Sequence, residues 1–325
     1  MAQLTLFDDR PAQATRLAPR LRALAAQGIC FGTSSWKYEG WLGSIYTPDR
    51  YTVRGKFSRR KFEAECLAEY AETFPAVCGD FSFYQFPSPD SWRELFGGTP
   101  RSLQFGFKVP EEITVAAWPR HARYGPRAGQ ANPSFLDARL FEREFARALD
   151  PYRDRVATLI FEFGTIPKSI LATADEFTGR LDRFLEALPE GYRYAVEIRN
   201  PEYLGPDYFA TLSAYGVAHV FNAWTRMPEL GVQAELPGAF TADFTVVRAL
   251  LRPGRTYEQA VARFEPYRAV QEPHPPTRDG LRRIAEESCR NGKPAFVFVN
   301  NRLEGNAPST IEAVAESLTA GPACG

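Results

Sequence analysis

The sequence predicts a (β/α)8 barrel, the TIM-barrel fold, built as a single domain, and three observations carry that prediction. Eight apolar runs of strand length recur along the chain, and helix-period segments lie between them. No run is followed by GxGxxG or GxxxxGK[ST], the phosphate loops that open doubly wound sheets often carry. Strands separated by helices pair in parallel, and near-continuous apolar strands are buried on both faces, as in a closed barrel. A doubly wound open sheet is the alternative. A length of 325 residues suits one such unit, since α/β barrels run to about 250 residues before insertions are counted.

The barrel domain is placed at 29–325, after an N-terminal extension, 1–28, read as a short tail and then a helix over Arg16 to Ala26. The strands are Ile29 to Thr33, Ala76 to Ser82, Leu103 to Val109, Val156 to Phe163, Tyr192 to Ile198, Val217 to Phe221, Phe244 to Ala249 and Ala295 to Val299. After the second strand, Ser88-Pro89 ahead of Trp92, Leu95 and Phe96 marks a helix start, an N-cap followed by proline at the first helical position. After the third comes a long Pro-, Gly- and Arg-rich connection, Pro110 to Pro133, with Arg120, His121, Arg123 and Arg127. A loop of this length is uncommon unless it forms a lid, binds something or is disordered. After the fourth, Thr173 to Leu188 sets Phe177, Leu181, Phe184, Leu185 and Leu188 on one face behind a Thr173/Glu176 capping box. Gly216 and Gly292 are placed to end the helices before the sixth and eighth strands.

Composition excludes some classes. With 44% hydrophobic and 24% charged residues, the chain can bury a large core. Thirty-nine basic residues balance thirty-nine acidic ones, which removes a global field toward nucleic acid or anionic membrane and leaves nucleic-acid contact to a local patch. No stretch reaches the length of a membrane span, about 20 apolar residues, and the first residues lack a basic start followed by an apolar core. A cytoplasmic location without membrane contact is therefore expected. Cys30, Cys66, Cys78, Cys289 and Cys324 form no CxxC pair and are expected to be reduced.

Seven short motifs follow one another along the chain. They are Gly32-Thr33-Ser34-Ser35-Trp36-Lys37-Tyr38 running on through Trp41, Gly43, Tyr46 and Pro48; Phe83-Tyr84 with Pro87-Ser88-Pro89; and Phe105-Gly106-Phe107-Lys108-Val109-Pro110 with Ile113-Thr114. Then come Leu159 to Phe163, Val196 to Pro201, Asp243 to Arg248, and Val299-Asn300-Asn301 with Gly305 to Pro308. Together they resemble the bacterial DUF72 (YecE-like) family, and the resemblance implies a (β/α)8 barrel and no assigned reaction. The chain resembles a divergent member: Cys78 stands where the family has Glu, Asp80 where it has Asn, and Val115, Asn200 and Leu250 where it has His.

In a barrel, reacting residues sit at the C-terminal ends of the strands. Lys108, Glu162, Glu197 and Arg248 fall there, embedded in or just after apolar sequence, where an unpaired charge is expensive to bury. They are either structural ion pairs bracing the barrel or the walls of a functional pocket. In the functional reading Glu162 and Glu197 act as acid and base with Lys108 completing the catalytic set, chemistry that hydrolases and isomerases use. Arg248 and Lys108 would hold a carboxylate or phosphate, and Arg199, Asp80, Asn300 and Asn301 would add polar contacts. Trp36, Tyr38 and Tyr84 would supply apolar walls with polar tips, a lining that suits a small polar or anionic ligand such as a sugar or polyol.

The oxygens of Asp80, Glu162 and Glu197 would equally suit Mg2+ or Mn2+, although nothing in the sequence demands a cofactor. Zinc is disfavoured, because His121 and His274 lie in loops and His219 in a strand interior. Ser34 and Ser35 have no histidine at a strand end to activate them, and Cys78 reads as an inert core thiol.

A reading of another class comes from the tail. Gln3-Leu4-Thr5-Leu6-Phe7 resembles the QLxLF peptide with which bacterial replication and repair proteins dock on the sliding clamp. Gln3 would hydrogen-bond, and Leu6 and Phe7 would fill a groove. The chain would then be a DNA-maintenance accessory or binding protein, with or without catalysis.

Overall fold

In a computed structural model that describes residues 10–320, the eight strands close into a parallel barrel. They are β1 (Ile29–Thr33), β2 (Ala76–Gly79), β3 (Gln104–Lys108), β4 (Val156–Phe163), β5 (Tyr194–Ile198), β6 (Ala218–Ala223), β7 (Thr245–Ala249) and β8 (Ala295–Val299). Each lies beside its neighbours in sequence, and β1 pairs with both β8 and β2, which closes the ring and excludes the open sheet. The N-terminal helix starts four residues before the expected Arg16, and among the strands the largest difference from expectation is at β2. It ends at Gly79 because Phe81–Phe83 forms a 3-10 turn, tied to β3 by the Ser82 hydroxyl donating to the Lys108 carbonyl at 2.7 Å.

The longer helices are α1 (Ala12–Ala26), α2 (Arg59–Thr73), α3 (Pro89–Gly97), α4 (Ala174–Glu186), α5 (Pro206–Ala214), α6 (Tyr257–Phe264), α7 (Pro275–Arg290) and α8 (Ala307–Ala320). The helix of the N-terminal extension, α1, belongs to the body of the fold: Leu17, Leu21 and Leu24 are buried in the same core as Phe31 of β1. The start of α3 follows its sequence signal, with the Ser88 hydroxyl accepting from the Ser91 N–H at 3.2 Å. For α4, Thr173 accepts from the Glu176 N–H at 3.1 Å, but the Glu176 carboxylate reaches back one residue further than a capping box requires, to the Ala172 N–H at 3.1 Å. Gly216 and Gly292 both sit at φ +62°, the left-handed conformation that ends a helix.

Residues 110–133 are folded on themselves. A helical turn at Glu111–Thr114, a 3-10 turn at Ala122–Arg127 and a bridge between Ala117 and Ala131 organise the segment, and Trp118 and Tyr124 are buried in it. Arg123 pairs with Glu111 and Arg127 with Glu112, at 2.7 and 3.1 Å. The connection is thus an ordered cap, since two buried aromatics and two ion pairs offset the entropy of ordering it.

Cys30, Cys66 and Cys78 carry free thiols, whereas Cys289 is disulfide-bonded, a correction to the expectation of reduced thiols throughout. Among the described residues no helix is long and apolar enough to cross a membrane.

Alternation along the strands decides what faces the barrel interior. Ala76, Cys78, Ile160, Ala195, Val220, Val246 and Phe298 form part of one buried apolar cluster inside the ring. Two residues further along each strand stand Asp80, Glu162, Glu197, Asn222, Arg248 and Asn300. The interior is therefore apolar in its lower layers and polar in its top layer, which Lys108 completes from β3.

Candidate functional site

Glu162 is the centre of the polar layer. Its Oε2 accepts from Lys108 Nζ at 2.9 Å and from Arg248 Nη1 at 2.5 Å, and its Oε1 pairs with Arg199 Nη2 at 2.9 Å. Glu197 Oε1 accepts from both Nε and Nη2 of Arg199 at 3.2 Å, and its Oε2 accepts from Arg248 Nη1. Arg248 Nη2 donates to Asp80 Oδ1 at 3.2 Å. Three cations and three carboxylates thus form one neutral cluster. The Arg248 and Glu197 side chains are sealed, at 1% and 0% exposure, while Arg199 at 14% and Asp80 at 32% lie nearer solvent.

Burial alone would raise the Glu162 carboxyl, but Arg199, Lys108 and Arg248 outweigh it and hold the group far below the usual carboxylate range. For Arg248, burial works against the charge, and the Glu197 and Glu162 carboxylates reverse that, leaving the guanidinium firmly protonated. Aromatic faces support two of the cations: Lys108 Nζ stands 3.6 Å above the Phe83 ring and the Arg199 guanidinium 3.6 Å above Trp224. Trp224 was not among the residues expected from sequence, although an indole directly after the end of β6 is the available signal. Ser34 Oγ, Asn222 Oδ1 and Arg248 Nε, at the strand ends or in the layer itself, are buried without a protein hydrogen-bond partner.

The remaining expected residues divide. Trp36 and Asp80 line a cavity of about 430 Å3 between α2 and α3, together with Ser35, Leu67, Phe81 and Leu95. Small-molecule sites have volumes of about 300–1,000 Å3, so the cavity is of ligand size. Ser35 at its lip has φ +123°, a conformation that side-chain-bearing residues seldom adopt. Lys108, Glu162, Glu197, Arg199 and Arg248 are not among the residues lining this cavity, and Asp80 alone joins it to the cluster.

Tyr38 packs instead against Trp41 and Tyr267, and Tyr84 is exposed under the Arg123 guanidinium, 4.7 Å from its ring. Asn300 accepts from the Arg302 N–H, and Asn301 accepts from Trp41 Nε1 and from the Ala307 N–H at the start of α8, so both amides tie loops together. Gln3, Leu6 and Phe7 lie outside the described residues.

The donor set does not form a metal centre. Among the described residues no group of three or more His, Cys, Asp or Glu side chains could hold a metal ion. The expectation that Asp80, Glu162 and Glu197 suit Mg2+ or Mn2+ is corrected, because Arg248, Lys108 and Arg199 occupy the positions from which a dication would neutralise those oxygens. Burial lowers His219 to about 3 and pushes the Cys78 thiol up to about 12, so neither is charged near neutral pH.

No curated protein matches the chain. Two solved structures that it resembles are a DUF72 family protein from Thermotoga maritima and one from Enterococcus faecalis. The first has 21% identity and a TM-score of 0.61, over 90% of this chain and 99% of that one. The second has 14% identity and a TM-score of 0.59, over 90% of this chain and 96% of that one. At such identities the likeness shows the fold. The sequence profile described as "Protein of unknown function DUF72" matches residues 30–323, and the chain belongs to that family.

Proposed function

We propose that this barrel is an enzyme for a small polar or anionic substrate bound at its C-terminal mouth, with the Glu162 cluster as its charged centre. The observation that carries the reading is the convergence of Lys108, Arg199 and Arg248, from the C-terminal ends of three different strands, on one carboxylate at the end of a fourth. As a brace, such a cluster is inefficient. Replacing a buried ion network by apolar residues of similar volume is often neutral or stabilising by about 1–4 kcal/mol, and the layers beneath are already apolar. A charged layer at the face where barrel enzymes react is better explained by chemistry than by stability.

The geometry divides the roles. Arg199 and Lys108, nearer solvent than Arg248, face the ligand, while Arg248 holds the carboxylates in register. Glu162, held ionised, does not deliver a proton at neutral pH while its three cations stay in place. An anionic ligand that draws Lys108 and Arg199 toward itself weakens their pull on Glu162 and raises its proton affinity. Crystals soaked in a panel of small carboxylates and sugar acids test this. Density bridging Lys108 and Arg199 is expected, and a panel that leaves the cluster unchanged argues for the brace.

A further inference from the structure

We propose a second site, for a phosphoryl group, on the loop after β7. There Arg252, Arg255 and Arg263 converge on a single carboxylate, Glu272. Arg252 Nη1 lies 3.3 Å from it and Arg263 Nε 2.9 Å, and Arg255 donates through Nη2. With Pro253, Gly254 and Gln259 these four residues line a cavity of about 550 Å3. Three guanidinium groups against one carboxylate leave a local excess of positive charge in a chain whose net charge is zero.

Arg255 marks this as a built site. Its side chain is only 10% exposed, its guanidinium packs 4.9 Å from the centre of the Phe264 ring, and its Nη1 is buried with no hydrogen-bond partner. A buried cationic donor left without a partner is costly, which favours a turn of the guanidinium that brings it to an anion entering the cavity. Guanidinium forks match the oxygens of a phosphoryl group, and several of them around one cavity suit its double charge better than a single carboxylate does. Glu272 acts as the resident anion, kept ionised chiefly by its hydrogen bond from Arg255.

The position supports the same chemistry. In barrel enzymes a phosphoryl group is frequently held by the loops after the seventh and eighth strands and a short additional helix. Here α6 is that helix, with Gln259 of its first turn on the cavity wall. The α6 N-terminus is already capped by Thr256, which accepts from the Gln259 N–H, so the arginines carry the site. Arg252 follows Arg248 by four residues, a span of about 14 Å at most, so the site lies close to the charged layer. The substrate class is therefore a small phosphorylated molecule, a step that rests on the enzymatic reading of the mouth, whereas the phosphate site does not.

Inorganic phosphate titrated into the full-length protein at low ionic strength, followed by calorimetry and 31P line width, tests the site. Saturable binding is expected. Arg255→Met weakens it tenfold or more. The better-exposed Arg252→Gln, which is less able to disturb folding, weakens it several-fold. Glu272→Gln tightens it by removing the competing carboxylate, and Lys108→Met at the mouth leaves it unchanged. Absence of saturable binding by both the wild type and Glu272→Gln overturns the site. So does binding that survives both arginine variants, or binding lost with Lys108→Met. If phosphate binds as expected but a panel of small phosphate monoesters binds no more tightly than phosphate, the substrate-class step alone is overturned.

Discussion

Arg248 Nη1 donates to Glu162 Oε2 at 2.5 Å, joining the seventh strand to the fourth across the barrel, and the same nitrogen also serves Glu197 on the fifth. Arg248 therefore serves two buried carboxylates at once, whereas Lys108 pairs with Glu162, which keeps two further cations. The asymmetry makes a prediction. Arg248→Met leaves two acids short of a partner and lowers the unfolding free energy by about 3–5 kcal/mol. Lys108→Met leaves Glu162 with Arg199 and Arg248 and costs about 1 kcal/mol, as an ordinary point substitution does. Urea denaturation measures both, and equal losses would contradict the sharing of Arg248.

His219 sets a pH dependence. It lies in β6 with Nδ1 3.2 Å from the Tyr208 hydroxyl, and burial lowers its folded pKa to about 3. The unfolded value is about 6.5. Between the two the unfolded chain binds a proton that the folded chain refuses, so stability falls as pH drops from about 6.5 toward 3. Relative to wild type, His219→Gln is expected to lose about 3 kcal/mol less between pH 7 and pH 4. Identical profiles from denaturant midpoints would show that His219 takes up its proton without unfolding.

The cap at 110–133 depends on Arg123. It donates to Glu111 at 2.7 Å and its guanidinium lies 4.7 Å from the Tyr84 ring and 4.5 Å from the Tyr124 ring. Arg123→Ala is expected to speed amide exchange at Trp118 and Asn132, whose N–H groups bond to Gln130 and Ala116 across the segment. The expected acceleration is about tenfold, equivalent to about 1.4 kcal/mol. Unchanged protection there would mean that the buried Trp118 holds the cap without the arginine.

For the tail, we propose from its sequence alone that residues 3–7 dock on a bacterial sliding clamp. A peptide covering Met1 to Arg10 is expected to bind purified clamp saturably in a fluorescence anisotropy titration, and Leu6→Ala or Phe7→Ala to abolish binding. Failure to saturate at high micromolar clamp removes the proposal.

The barrel was legible because its two periods are local. Val246 and Arg248 share a face two residues apart, and Phe177, Leu181 and Phe184 share one at helical spacing. The polar layer was legible for a related reason: Glu162 and Glu197 interrupt apolar runs that otherwise need no charge. Their pairing was not legible, since spacing along β4 and β7 does not say that one Arg248 nitrogen meets two acids. The folding of 110–133 was hidden because Arg123 reaches Glu111 only after the chain reverses at the Ala117–Ala131 bridge. The Glu272 cluster was hidden because its members come from a proline-interrupted stretch, Arg252 to Glu272, without periodicity.

The central claim is that the charged layer binds a ligand. Saturation-transfer NMR with a panel of small carboxylates, sugar acids, phosphate monoesters and polyols, run on wild type and on Lys108→Met, tests it most directly, because that variant keeps Glu162 paired. The account predicts at least one compound that binds the wild type and is lost from the variant, while both proteins unfold cooperatively with similar midpoints. A panel in which every binder is retained by Lys108→Met, or a variant that loses several kcal/mol of stability with no change in binding, would contradict it and leave the cluster a brace.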